Sequence, residues 1–308
     1  MKKSSLHYRF GQILLAFIII VIGKYVIVAQ STVTGDWRAD IRSEKAESGK
    51  IHISFERGIE KGRNQYGRSY RFDELQGLTR DQAVNGGKVN FRLVREAGTI
   101  ECDGTSANGN GSGTFSFRPN MSFVAAMKSR GFDFEEESHW GKGSDMSERL
   151  FSAAVLNVTT ALADDLNSAN FGKLDVGDLI KAAVFTIDSK FMAEMKASGF
   201  PNLSMEDLVK ARIFKIDASF VRQIHEMGFS TLGFENLVKF RIFKVTPEYL
   251  AELRAAGLKD LDGEDIVKCR IFKIDPEFVR KAKSDNPNVT IEDLVKMKIG
   301  AYSKKDII

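Results

Sequence analysis

The chain predicts an α+β protein: a small antiparallel β domain followed by an α-solenoid of helical hairpins with a 29-residue repeat. Two observations carry the helical half. The phrase Ile213-Phe214-Lys215-Ile216-Asp217 returns as Ile242-Phe243-Lys244-Val245-Thr246 and Ile271-Phe272-Lys273-Ile274-Asp275, after an older-looking copy at Val184 to Asp188 and a worn one at Val155 to Thr159. Glycines recur in the same register at Gly199, Gly228 and Gly257. The sheet rests on period-two alternation between residues 35 and 117. A fixed period of this kind specifies an architecture and leaves the chemistry open.

In order along the chain, residues 1–30 pair a basic start (Lys2, Lys3, Arg9) with the apolar run Ile13 to Ile22, the pattern of a signal peptide or an N-terminal membrane anchor. Lys24 interrupts the run, which suits a cleaved signal better than a full span. Either way, the basic end stays inside and the rest of the chain is exported. Membrane contact is then limited to this segment if it is retained.

Residues 31–116 form the β domain. Lys50 to Glu56 and Lys88 to Val94 alternate cleanly, with shorter candidates at Tyr70 to Phe72, Thr99 to Cys102 and Thr114 to Phe117. Ile51, Ile53, Phe55, Phe91, Leu93, Phe115 and Phe117 are the expected inward residues. The glycine-rich tract from Asp103 to Gly113 reads as turn material at a flexible hairpin tip, since it lacks the Lys-Ser/Thr of a phosphate loop.

Residues 117–300 form the repeat array, with an insertion at 133–149 that carries Glu135, Glu136, Glu137 and Trp140; a short tail follows at 301–308. Asp188, Asp217, Thr246 and Asp275 are N-cap residues for a first helix that stops at the glycines. A second helix opens at Ser204, Asp262 and Thr290, with buried pairs such as Leu208-Val209 and Leu237-Val238. Neither helix can bury its apolar face alone, so neighbouring units must stack.

Val245-Thr246-Pro247-Glu248-Tyr249, Glu264-Asp265-Ile266-Val267-Lys268, and the strand phrases from Arg95 to Thr99 and Gly113 to Asn120 resemble the extracytoplasmic repeat region of bacterial antibiotic-sensing membrane metallopeptidases and related exported proteins. The resemblance spans roughly residues 35 to 300 and is structural. The chain lacks the His-Glu-x-x-His motif of those peptidases, so peptidase activity is not implied.

No nucleophile–base pair or metal spacing stands out among His7, His52, His139, His225, Cys102 and Cys269, so no enzymatic activity and no cofactor are expected. The cysteines read as two free thiols. A net charge of +4 argues against a nucleic-acid binder. The array does carry cations in register: Lys210, Lys239 and Lys268; Arg212, Arg241 and Arg270; Lys215, Lys244 and Lys273. These nine residues are the candidate interaction ridge. The opposing reading is a solvated face with Glu206–Lys210 and Glu264–Lys268 as i,i+4 pairs. The function expected is a non-enzymatic exported repeat scaffold for protein–protein interaction, with envelope sensing as its setting. The alternative is a binder of anionic envelope polymer through the Lys/Arg ridges.

Overall fold

A computed structural model describes residues 33–42, 49–59, 62–136 and 145–300. The signal or anchor segment at 1–30, the tail at 301–308 and the middle of the insertion lie outside them. The fold is α+β. It divides into two compact units, one taking the described residues of Met1–Val124 and Gly143–Asn157, the other those of Ala125–Lys142 and Val158–Ile308.

The first unit is built on an antiparallel seven-stranded sheet: β1 (Val33–Asp40), β2 (Ile51–Ile59), β3 (Gly62–Tyr70), β4 (Leu75–Gln76), β5 (Gly87–Arg95), β6 (Gly98–Ala107) and β7 (Asn110–Pro119), in the order β3-β2-β1-β7-β6-β5-β4. All seven residues expected to point inward are buried, and they are joined by Val33, Trp37, Tyr70, Ile100 and Cys102.

The tract from Asp103 to Gly113 corrects the sequence reading. β6 runs to Ala107 and β7 starts at Asn110, so only Asn108 and Gly109, both at positive φ, form the turn. The glycines inside the strands have a packing reason. A Cβ on Gly104 would lie 2.7 Å from the Trp37 ring and one on Gly111 2.9 Å from it. The indole occupies that space and donates from Nε1 to the Asp103 carbonyl at 3.1 Å.

A short helix, α1 (Arg80–Asn85), closes one side of the sheet. The helix α3 (Met146–Leu156), inside the stretch that sequence counting places in a worn repeat, packs on the sheet. Its Phe151 ring stacks on Phe115 at 5.0 Å and meets Phe55, Phe117 and Tyr66 edge-on. Arg68 and Tyr70 donate to the Leu156 and Val155 carbonyls, satisfying acceptors that the end of the helix leaves open.

α2 (Met121–Lys128) ends at Gly131 (φ 90°), where the Phe132 amide bonds the Met127 carbonyl. The second unit then alternates two kinds of helix. The first kind comprises α4 (Thr160–Ser168), α6 (Ser189–Ala197), α8 (Ala218–Glu226), α10 (Pro247–Ala255) and α12 (Pro276–Asp285). The second comprises α5 (Val176–Phe185), α7 (Met205–Ile213), α9 (Phe234–Ile242), α11 (Gly263–Ile271) and α13 (Ile291–Lys298). Equivalent helices of successive units pack on one another, α5 on α7, α9 on α11 and α11 on α13 among them.

Capping explains where each helix begins. Thr159, Asp188, Asp217, Thr246 and Asp275 accept the amides of Leu162, Phe191, Phe220, Tyr249 and Phe278. Such a bond contributes about 1 kcal/mol per helix. Asp175, Ser204, Asp262 and Thr290 cap the second kind; Gly233 stands at that position in α9 and offers no side chain. The first helices stop at Gly199, Gly228 and Gly257, all at φ near 100° (98°, 97° and 104°). In the last unit α12 instead ends at Asn286 in an extended conformation.

Candidate interaction surface

The nine candidate cations occupy three different environments. Lys210, Lys239 and Lys268 reach forward to the next second-type helix, pairing with Glu235, Glu264 and Glu292 at 2.5, 2.6 and 2.5 Å. Lys181 makes the same bridge to Glu206 one unit earlier. The expected i,i+4 pairs Glu206–Lys210 and Glu264–Lys268 therefore give way to bridges between units: directly packed helices bring the neighbour's glutamate closer. The last bridge spans 24 residues rather than 25, so the shortened final unit keeps the contact. Hydrogen bonding to Glu235 raises the Lys210 ammonium from its ordinary value, Glu292 does the same for Lys268, and Lys181 holds the Glu206 carboxyl below the usual carboxylate range.

Arg212, Arg241 and Arg270 lie flat on aromatic rings of the preceding first-type helix. Their guanidinium carbons stand 3.7, 3.7 and 3.6 Å from the ring centres of Phe191, Phe220 and Tyr249. Lys298 takes the equivalent place over Phe278 at 4.2 Å. Arg212 also donates to the Thr186 carbonyl at 2.6 Å and Arg241 to that of Lys215 at 2.7 Å. Each of these two arginines thus ties the end of one second-type helix to the ring of the first-type helix after it. The cation–π contact contributes roughly 0.5–2 kcal/mol.

Lys215, Lys244 and Lys273 differ from the other six. They are exposed, and among the described residues none of their ammonium groups has a carboxylate within salt-bridge range. Each sits at the turn after a second-type helix with φ of 53°, 51° and 52°. The following amide closes the turn, Ile216 to Ala211, Val245 to Phe240 and Ile274 to Cys269.

The sequence reading missed the residue two positions before each lysine. Ile213 (54% exposed), Ile242 (49%) and Ile271 (47%) continue a row that starts at Val184 (40%) and ends at Ile299 (60%). These are five of the seven large apolar residues exposed among the described residues. The signal was present: Ile213 lies five positions after buried Leu208, off the three-to-four spacing of the buried stripe.

On the sheet, Ser54 Oγ lies 3.3 Å from His52 Nε2, beside an open groove of about 660 Å³ lined by Arg38, Asp40, Thr105 and Ser112. Their i,i+2 spacing on one strand puts them on one face. Asp188, Asp217 and Asp275, which align as a carboxylate ladder in sequence, all cap helices. Among the described residues no cluster of His, Cys, Asp and Glu is arranged to hold a metal, and no helix is long and apolar enough to cross a membrane. The chain matches no protein-family model, no curated protein and no solved structure.

Proposed function

We propose that the protein is a non-enzymatic exported scaffold whose repeat array, a solenoid of helical hairpins, presents a surface to a protein partner. One observation carries the choice over the anionic-polymer reading. Six of the nine ridge cations are engaged within the array: three lysines face glutamates of the next unit and three arginines lie on aromatic rings. Lysines neutralised by glutamates and guanidinium groups held flat on rings leave few cations free to reach a polyanion, and the exposed row beside them is apolar. Export rests on the basic and apolar pattern of residues 1–30, and a place in envelope sensing on the resemblance of the repeat phrases.

A photo-crosslinking residue placed at Lys244 and, separately, at exposed Glu252, in cells of the source organism, tests the reading. A discrete protein adduct at one of these positions supports it. A polymer smear that resists protease, or no adduct at either, contradicts it.

A further inference from the structure

In three successive repeats the two turns are built from different residues, although both need positive φ; Thr186 and Gly300 hold the second turn in the units before and after. The turn after the first helix uses glycine at Gly199, Gly228 and Gly257; the turn after the second uses lysine at Lys215, Lys244 and Lys273. A left-handed backbone is unfavourable for any residue with a Cβ, and glycine removes that cost. Three lysines held there at successive units are a local backbone strain that folding does not require, the kind of outlier that points to function. Each also stands two residues after an exposed isoleucine.

We infer that the row of Ile213, Ile242 and Ile271 with Lys215, Lys244 and Lys273 is a docking surface for an extended acidic segment of a partner protein, its apolar side chains on the isoleucines and its carboxylates on the lysines. This rests on the scaffold reading above and names its surface. Charge complementarity selects the partner: Asp217 and Asp275 direct their carboxylates to the amides of Phe220 and Phe278, and among the described residues no carboxylate stands within salt-bridge range of the three ammonium groups, which are open to an outside anion. Spacing selects its shape. Directly packed helices stand about 8–10 Å apart, and three residues of a polyproline-type strand advance about 9 Å. Every third side chain of such a segment meets one repeat.

The test pans a phage-displayed library of random peptides, about 15 residues long so as to span the row, against the whole chain. Enriched peptides should combine Asp or Glu with an apolar residue at every third position. A synthetic copy should bind at least about tenfold more weakly to the Ile213→Ser/Ile242→Ser/Ile271→Ser variant, and its affinity should fall with added salt. Lys215→Gly/Lys244→Gly/Lys273→Gly suits the turn, so it should also lose about tenfold in binding while its Tm does not fall. Unchanged affinity for these variants, or enrichment of basic or uncharged peptides, overturns the proposal. So does self-association of the chain that the isoleucine variant abolishes, because the occupant is then a second copy. Peptides that bind elsewhere on the array sink this surface and leave the scaffold reading standing; absence of the crosslinked adduct sinks the scaffold reading itself.

Discussion

The guanidinium of Arg241 lies 3.7 Å over the ring of Phe220, twenty-one residues earlier, while one of its nitrogens reaches the Lys215 carbonyl at 2.7 Å. One side chain thus joins a helix end, a turn and the following helix. Arg241→Ala should cost about 2–5 kcal/mol, the sum of a cation–π contact and a charged hydrogen bond to a carbonyl. Arg241→Lys should cost about 1 kcal/mol, since Lys298 already occupies the same place over Phe278. Urea unfolding of the two variants checks both values.

The bridge between Lys239 and Glu264 at 2.6 Å joins two half-exposed side chains. A double-mutant cycle with Lys239→Ala and Glu264→Ala should give a coupling of about 0.2–1 kcal/mol that shrinks in high salt. Each lysine–glutamate bridge is therefore worth less to stability than an arginine laid on its ring.

The two kinds of turn predict opposite responses to substitution. Lys244→Gly should stabilise the chain by about 1 kcal/mol, because its φ of 51° suits glycine. Gly228→Ala should destabilise it by about 1 kcal/mol at φ 97°. Space is not the obstacle there: a Cβ on Gly228 meets nothing closer than Arg254 at 3.9 Å. Thermal unfolding read by far-UV circular dichroism gives both signs.

Acid should weaken the array before it unfolds. The hydrogen bond from Lys181 lowers the Glu206 carboxyl; burial works against Asp217, but bonds from the Phe220 amide and Ser219 hydroxyl outweigh it and leave that carboxyl lowered too. A carboxyl lowered on folding contributes stability above its unfolded value, roughly pH 4, and that contribution disappears as pH falls through the lowered one. Urea midpoints should be flat at neutral pH and fall below about pH 4. A midpoint that rises on acidification contradicts this.

Both cysteines are free and buried, Cys102 in the sheet unit and Cys269 in the array. Burial pushes the Cys269 thiol up to about 12 and raises that of Cys102 as well. A thiol reagent at mildly alkaline pH should label neither in the native protein and both in denaturant. Labelling followed through a urea titration then reports the opening of each unit separately.

The array was legible because its information is local. Caps such as Asp217, stops such as Gly228 and buried residues such as Leu208 and Leu237 lie within one unit and repeat, although Val209 beside Leu208 is only half-buried. Strands β2 and β5 were legible for the same reason, through alternating Ile51, Ile53 and Phe55 or Phe91 and Leu93. β1 was not, since among its inward positions Gly35 and Ala39 are small and Trp37 stands nearly alone. Nor was β3, whose sequence is almost wholly polar. The place of α3 on the sheet was hidden because the partners of Phe151, from Phe55 to Phe117, lie far upstream. The cation rows were visible; their engagement depends on which side chain crosses the junction between units. A count at twenty-one residues, from Phe191 to Arg212 or Tyr249 to Arg270, would have exposed the ring contacts.

Hydrogen exchange of the whole chain, with and without an acidic peptide selected on it, separates the isoleucine–lysine row from every other surface. Slowed exchange should be confined to the three turns at 213–217, 242–246 and 271–275, the positions of the Ile-Phe-Lys phrases. Slowed exchange at the groove around His52 and Ser54, or at the glycine turns with these three unchanged, would contradict it.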